Sequence, residues 1–208
     1  MKTSIYVVLF LLSLSACNSQ NKKSGNQHVG GPCEGCEAIY EYGTKNLTPI
    51  DTLPKYIEST PKLKITGIIY HKDGKTPAEN IILYIYHTNR EGIYEKLGNE
   101  QGWAKRHGYI RGWVKTGKDG RYTFYTFRPA SYPDRSEPEH IHITVKEPDK
   151  NEYYIDDYCF DDDPLLTQSK RNRFPNRAGS GIVQPKPENE FFTIRRDLIL
   201  GLNIPNYE

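Results

Sequence analysis

Residues 109–115 read YIRGWVK, residues 121–128 read RYTFYTFR, and the link between the two segments is T-G-K-D-G. Both segments are rich in aromatic and β-branched residues, and their apolar residues recur with a period near two, which is typical of β-strands. The link contains Asp and Gly, which favours a hairpin-like connection. These residues therefore predict a domain built from β-strands.

The same pattern extends along the chain on both sides of these segments. Further strands are predicted at residues 63–70, 81–87, 140–146, 152–160 and 190–194. Residues 95–106 and 161–189 lack this alternation and are expected to be irregular. Because helical periodicity is almost absent, the sequence predicts an all-β fold, an antiparallel or mixed β-sandwich with little helix.

Composition excludes several other classes of protein. The chain has 208 residues, a formal net charge of +2, 17 Gly, 14 Pro and 4 Cys. A chain of this length buries enough surface for a core without a disulfide framework. The small net charge argues against nucleic acid as a partner, since such binding needs a concentrated basic face.

The N-terminus has the features of an export signal. Lys2 precedes an apolar run over residues 5–14 and the tetrapeptide L-S-A-C, which resembles the lipobox of bacterial lipoproteins. We therefore expect a signal peptide at 1–16, a lipidated flexible tether at 17–35 beginning with Cys17, and one domain at 36–208. The predicted location is the bacterial cell envelope, where the lipid on Cys17 contacts the membrane. The alternative is an ordinary signal peptide that contains a cysteine.

Two cysteines, Cys33 and Cys36, form a C-x-x-C motif. Such a motif can be redox-active, supply half of a zinc site, or form a local disulfide. No βαβ pattern follows it, and Cys159 is the only other thiol after Cys17. A structural disulfide suits an oxidising envelope, and Cys159 is expected to be buried.

The predicted strand at 140–146, HIHITVK, presents two histidines. Because side chains alternate between the faces of a strand, Ile141 and Ile143 can face the core while His140 and His142 stand side by side on the other face. Such a pair can supply two nitrogen ligands to a metal ion. The alternative is two surface histidines without a metal.

Several motifs resemble the intradiol ring-cleavage dioxygenases of the catechol and protocatechuate type, over about residues 63–164. They are G-x-I-x-x-x-D-G-K-T-P-A at 67–78, N-x-x-G-x-Y ending at Tyr94, T-x-x-D-G-R-Y-x-F-x-T at 116–126, P-x-x-Y-P containing Tyr132, and H-I-H at 140–142. The resemblance implies the β-sandwich core of that family, and the protocatechuate type is the closer match.

The resemblance also implies a site and a reaction. Tyr94, Tyr132, His140 and His142 would bind a non-haem ferric ion, and two phenolates would stabilise its ferric state. A catechol-like substrate and O2 would react there, with cleavage between the two hydroxyl-bearing carbons and insertion of both oxygen atoms to give a muconate-type diacid. Tyr132 would be the tyrosinate that the substrate displaces.

The sequence departs from the family pattern at several positions. Glu137 stands three residues before His140, where the family usually has an Arg that stabilises negative charge on the substrate. We hypothesise that Arg135 takes this catalytic role. Asp157 stands where the family often has Gln, and the acidic residues 156–163 are expected to form a solvated turn rather than a calcium loop.

These departures leave two other functions open. One is a non-catalytic, envelope-anchored β-sandwich that binds iron or a catecholic ligand. The other is a transthyretin-like or carbohydrate-binding module without a metal.

Overall fold

A computed structural model describes residues 28–208 as two facing β-sheets. The predicted signal peptide and Cys17 lie outside the described residues. The strands are β1 Ile50–Thr52, β2 Lys62–Tyr70, β3 Ile82–Tyr86, β4 Arg111–Lys115, β5 Arg121–Phe127, β6 His140–Lys146, β7 Tyr153–Tyr154, β8 Tyr158–Phe160, β9 Ile182–Val183, β10 Lys186–Glu188, β11 Phe191–Arg195 and β12 Leu198–Ile199. The predicted β-sandwich is therefore confirmed.

The first sheet has the order β1-β5-β2-β11-β10, and β12 also pairs with β2. Strands β2 and β5 are antiparallel, and so are β10 and β11, whereas β1 pairs with β5 in parallel and β11 and β12 pair with β2 in parallel. The strands β11 and β12 lie one after the other along the same edge of β2. The sheet is mixed, as the sequence allowed.

The second sheet has the order β4-β3-β6-β8-β9, with β7 paired to β6. In this sheet β3 is antiparallel to both of its neighbours, the edge strand β4 and the strand β6. Antiparallel pairing with β8 places His140 opposite Cys159 and Ile141 opposite Tyr158. This pairing brings the chain just before β8 next to the two histidines.

The core lies between the sheets. In β2 buried and half-buried residues alternate strictly, so that one face of the strand supplies the core. From β6, Ile141, Ile143 and Val145 join this core, as predicted. Burial of such aliphatic side chains stabilises the fold by about 1.5–3 kcal/mol each.

The predicted hairpin between residues 109–115 and 121–128 is wrong. Strand β4 belongs to the second sheet and β5 to the first, so the link crosses from one sheet to the other. The Thr116 hydroxyl at the end of β4 donates to the Ala78 carbonyl and accepts from the Ile81 amide, and the Gly120 carbonyl accepts from the Ile69 amide. These bonds attach the link to β2 and to the β2–β3 connection, which directs the chain across the sandwich.

The helices are short. They are a 3-10 helix at Cys36–Tyr40, α1 at Ala104–His107 and α2 at Gln168–Arg171. The segments expected to be irregular thus hold most of α1, all of α2 and the short strands β9 and β10. Within residues 28–208, no helix is both long and apolar enough to cross a membrane.

The tether predicted for residues 17–35 does not extend to residue 35. Val29 is buried in the core, and its amide donates to the Asn151 side chain. The Gly30 amide donates to the Pro205 carbonyl. Residues 29–35 therefore pack on the domain, because Val29 supplies an apolar contact and the backbone finds partners there.

The C-x-x-C motif forms the predicted local disulfide, Cys33–Cys36. Directly after it, Ala38 and Ile39 pack on Tyr84 and Trp113 in a second, smaller apolar cluster. This cluster covers the outer face of the second sheet. Cys159 is free and buried, as expected.

Candidate metal centre

His140 and His142 lie on the face of β6 opposite the core, and both are half-buried. This arrangement follows from the alternation of the strand. Their rings are nearly perpendicular, with centroids 4.6 Å apart and an interplanar angle of 85°. The two Nε2 atoms are 3.1 Å apart.

Tyr94 comes from the connection between β3 and α1. The Asn89 side chain accepts the amides of Glu91 and Ile93, which folds this connection into a tight turn before Tyr94. Gly92 has a φ of 77° in that turn. A Cβ on Gly92 would lie 2.1 Å from the Ser131 carbonyl oxygen, so only glycine fits at this position.

Tyr132 comes from the connection between β5 and β6. The Thr88 hydroxyl donates to the Ala130 carbonyl at 2.7 Å, and the Ala130 amide donates to the Asn89 carbonyl at 3.2 Å. The turn before Tyr94 is therefore bonded to the segment before Tyr132. Pro133 follows and keeps the backbone of Tyr132 extended.

The structure brings the four predicted ligands together. The Tyr94 hydroxyl is 2.7 Å from the Tyr132 hydroxyl and 2.7 Å from His142 Nε2. The Tyr132 hydroxyl is 3.2 Å from His140 Nε2. With the contact between the two Nε2 atoms, the four donor atoms form a closed ring.

The hydrogen bonds on the far sides of the imidazoles fix their protons. His140 Nδ1 is 2.7 Å from the Pro138 carbonyl, which can only accept, so Nδ1 carries the proton. His142 Nδ1 is 3.0 Å from the Asp157 carboxylate and donates to it in the same way. In neutral imidazoles, both Nε2 atoms then direct lone pairs into the ring of donors.

The ring of donor atoms has four contacts, but the two phenols supply only two protons for them. No proton is left for the contact between the two Nε2 atoms. A cation among the four atoms would satisfy all of them, and two imidazoles with two phenolates suit a transition-metal ion. The donor set therefore fits the predicted non-haem iron, with Tyr94, Tyr132, His140 and His142 as the residues that would hold it.

Without a cation, the surroundings favour neutral groups. Burial and the hydrogen bond to Tyr132 raise the pKa of the Tyr94 hydroxyl, and burial also raises the pKa of Tyr132. Burial and the neighbouring His142 lower the pKa of His140. The phenols would therefore lose their protons only when a metal ion replaces them.

Asp157, one of the departures from the family pattern, contacts His142, and sequence reasoning missed this contact. Burial acts to raise the pKa of Asp157, but the imidazoles of His142 and His140 outweigh it and hold that pKa below its ordinary value. His140, His142 and Asp157 form a cluster with one potential ligand atom from each within 4.8 Å of the others. Because the register of β6 and β8 was not predicted, this contact could not be anticipated from the residues alone.

A cavity of about 560 Å³ opens beside the donor atoms. Tyr132, His140 and His142 line it, and Tyr94 does not. Leu166 and Phe174 supply an apolar wall. The cavity is large enough for an aromatic ring next to the candidate metal centre.

Glu137 also lines this cavity, and its charge is paired. Lys170 Nζ, from α2, lies 3.2 Å from Glu137 Oε2 and 2.5 Å from the Ser136 carbonyl oxygen. Lys170 and Arg173 line the same cavity. Arg135 is exposed, has a φ of 53°, and is not among the residues of the cavity wall.

The expected turn follows β8, with Asp161 and Asp162 exposed, and its acidic residues also make structural contacts. Asp162 forms two hydrogen bonds with the Arg128 guanidinium, at 2.8 and 2.9 Å. The Asp163 carboxylate accepts the amides of Glu139 and Leu165. These contacts attach residues 161–165 to the segment before His140.

Comparisons with known proteins identify two curated relatives of this chain. No protein-family model matches the chain. Catechol 1,2-dioxygenase 1 of Acinetobacter lwoffii is 28% identical over 178 residues, which cover 78% of this chain and 52% of the relative. The protocatechuate 3,4-dioxygenase beta chain of Burkholderia cepacia is 26% identical over 137 residues, which cover 60% of this chain and 58% of the relative. The chain spans a little over half the length of these curated relatives.

Solved structures share the fold. The dioxygenase domain of a dioxygenase carbohydrate-binding protein fusion from Streptomyces sp. SirexAA-E has a TM-score of 0.58 and 20% identity, covering 75% of this chain and 90% of its own. Catechol 1,2-dioxygenase from Acinetobacter sp. ADP1 has a TM-score of 0.53 and 19% identity, covering 73% and 56%. By sequence and by fold, the neighbours of this chain are the intradiol ring-cleavage dioxygenases, the family that its motifs predict.

Proposed function

We propose that this chain binds a non-haem ferric ion and cleaves a catechol-type aromatic between its two hydroxyl-bearing carbons, with insertion of both atoms of O2. The observation that carries the proposal is the closed ring of donor atoms from Tyr94, Tyr132, His140 and His142 beside the cavity. The relatives named catechol 1,2-dioxygenase and protocatechuate 3,4-dioxygenase support the same reaction class.

Ferric iron held by these donors would supply a Lewis-acidic centre for the two hydroxyl oxygens of a catechol. The chain's own residues would hold the ring and move its protons. Leu166 and Phe174 would pack on the aromatic ring. Because Tyr132 lines the cavity and Tyr94 does not, the Tyr132 phenolate would be the one to accept a hydroxyl proton from the substrate.

The first test is the visible spectrum of the purified protein loaded with iron, with and without added catechol. Charge transfer from tyrosinate to ferric iron should colour the protein red to purple, and catechol should shift the band. Tyr94→Phe and Tyr132→Phe should each lose part of the band. Tyr154→Phe is the matched control, because Tyr154 lines the cavity but is not one of the four donors. A colourless wild-type protein with bound iron would contradict the proposal.

The second test is oxygen uptake with a panel of catechols. Consumption of one O2 per catechol, with a ring-opened diacid as the product, is the expected result. Colour without oxygen uptake would favour the alternative, a non-catalytic protein that binds iron or a catecholic ligand. The observation that supports this alternative is Glu137, a carboxylate on the cavity wall where the family usually has Arg.

We further propose that the protein is a bacterial lipoprotein anchored to the cell envelope through Cys17. The support is the sequence of residues 1–17 alone. Cys17→Ser should move the expressed protein from the detergent phase to the aqueous phase of a Triton X-114 extraction. Equal partitioning of the two forms would contradict the anchor.

A further inference from the structure

Asp157 lies next to the candidate metal centre because of strand pairing. In the antiparallel pair β6–β8, His140 lies opposite Cys159 and Ile141 opposite Tyr158. Continuing this register by one residue places Asp157 across from His142. Side chains of directly opposed residues in an antiparallel pair are close enough to interact.

The contact joins Asp157 Oδ2 to His142 Nδ1 at 3.0 Å. The other nitrogen of the ring, Nε2, points toward Tyr94 and His140. Because Nδ1 and Nε2 lie on opposite sides of an imidazole, Asp157 contacts His142 from behind and not from the side of the other donors. Such a contact fixes both the tautomer and the orientation of a metal-binding histidine.

His140 is held differently. Its Nδ1 donates to the Pro138 carbonyl, a neutral backbone acceptor. The two histidines thus have different partners, and only His142 has a carboxylate behind it among the residues that the structure describes. A carboxylate makes the imidazole a stronger electron donor than a carbonyl does.

We propose that Asp157 is a positioning residue of the metal centre, which holds His142 Nε2 toward the other three donors and places a carboxylate behind that histidine. The proposal rests on the proposed iron site. The family often has Gln at this position, and both Gln and Asp can accept a hydrogen bond. Only Asp adds a negative charge behind His142, which gives a reason for Asp at position 157.

The test compares wild type with Asp157→Asn and Asp157→Ala, as full chains loaded with ferric iron. Loss of such a supporting partner lowers metal affinity by about 10–100-fold, and we expect this loss for Asp157→Ala in competition with a chelator. Asn keeps a hydrogen-bond acceptor, so Asp157→Asn should retain iron better than Asp157→Ala. It should also raise the reduction potential and move the tyrosinate band to longer wavelength, because a negative charge behind His142 is lost.

The matched control is Asp161→Asn, which removes the same charge just after β8. Asp161 contacts Arg171 and none of the four donors. Its iron affinity and band should equal those of wild type. Thermal unfolding in the presence of chelator shows whether each variant folds, and the near-isosteric Asn variant keeps the test valid if Asp157→Ala does not fold.

The outcomes separate this inference from the proposed function. Wild-type iron affinity, potential and band in both Asp157 variants overturn the positioning role and leave the proposed reaction intact. Loss of iron from Asp157→Asn as severe as that from His142→Ala also overturns it, since Asp157 would then be a ligand itself. If the chain binds iron but takes up no oxygen, only the proposed reaction is contradicted. The iron affinity and the reduction potential would still test the role of Asp157. A wild-type chain that takes up no iron overturns both.

Discussion

Lys170 brings a positive charge to the wall of the cavity, next to the carboxylate of Glu137. Its Nζ contacts Glu137 and the Ser136 carbonyl, so α2 brings positive charge to Glu137. Removal of a preorganised group that stabilises developing negative charge lowers turnover by roughly 10²–10³-fold. Because Glu137 shares the charge of Lys170, we expect Lys170→Ala to lower kcat/KM for the catechol substrate by the smaller factor, about 10². Steady-state oxygen uptake measures this change.

Arg135→Ala is the matched comparison, since it removes a cation from the β5–β6 connection that carries Glu137. The exposed Arg135 side chain does not line the cavity, so we expect its loss to leave kcat/KM at the wild-type value. This expectation replaces the hypothesis drawn from the sequence, in which Arg135 stabilises the charge. A large loss in Arg135→Ala together with normal turnover in Lys170→Ala would reinstate that hypothesis.

His87 makes the stability of the fold depend on pH. It is buried, its Nδ1 is 2.7 Å from the Thr88 carbonyl, and its Nε2 is 2.6 Å from the Thr126 hydroxyl. Burial lowers the pKa of His87 from 6.5 to about 4. Above pH 6.5 the imidazole is neutral in the folded and the unfolded chain, so its full contribution to stability is present there.

Below pH 6.5 His87 becomes protonated in the unfolded chain but stays neutral in the folded chain. The free energy of unfolding therefore falls until about pH 4. The slope is about 1.4 kcal/mol per pH unit, and the total loss is about 3 kcal/mol. Urea unfolding of metal-free protein between pH 7.5 and 4.5 checks this prediction. His87→Gln should show a shallower decline than wild type, and identical declines would refute it.

Gly92 shows how a turn element controls the site. Its φ of 77° and the 2.1 Å approach of a hypothetical Cβ to the Ser131 oxygen mean that any side chain pushes the turn before Tyr94 away from the segment before Tyr132. We expect Gly92→Ala to separate the two phenols and to lower iron affinity. The left-handed backbone alone costs about 1–2 kcal/mol for a residue with a Cβ.

Gly98→Ala isolates that backbone cost. Gly98 also has a positive φ, 97°, but no atom lies within 4 Å of its hypothetical Cβ. We expect Gly98→Ala to lose stability in urea unfolding and to bind iron like wild type. If the two alanine variants have the same iron affinity, the turn does not position the tyrosines.

Alternating residues predicted the long strands well, since burial on one face imposes a period of two. Strands β2 and β6 were predicted within a residue of their ends. The short strands β1, β9, β10 and β12 were missed, because two or three residues cannot show a period. The link between β4 and β5 was predicted as a hairpin, and the bonds of Thr116 to another connection were not visible in the sequence.

Only part of the candidate site could be predicted, because strand alternation again indicates the face of a strand but not its neighbours. Strand alternation placed His140 and His142 on one face, but only the family resemblance selected Tyr94 and Tyr132 among 16 tyrosines. The contacts of Asp157 and Lys170 depend on strand register and on the position of α2. Both arise from tertiary packing, which residue types alone do not specify.

At the scale of the whole molecule, the four donors join separate parts of the sandwich. Tyr94 follows β3, Tyr132 follows β5, and the histidines lie in β6. The unfolded chain cannot hold these residues together, so a metal ion bound by all four stabilises only the folded state. At a free iron concentration of 100 times Kd, the stabilisation is about 2.7 kcal/mol.

For a domain of this size, each kcal/mol raises Tm by about 2–4 °C, so iron should raise Tm by about 5–10 °C. Differential scanning calorimetry with ferric citrate, against citrate alone, measures the shift. His142→Ala should abolish it, because one donor is lost. His71→Ala should keep it, because His71 is exposed and is not one of the four donors. An equal shift in the two variants would mean that iron binds elsewhere on the folded chain, and the ring of four donors would then not be the metal centre.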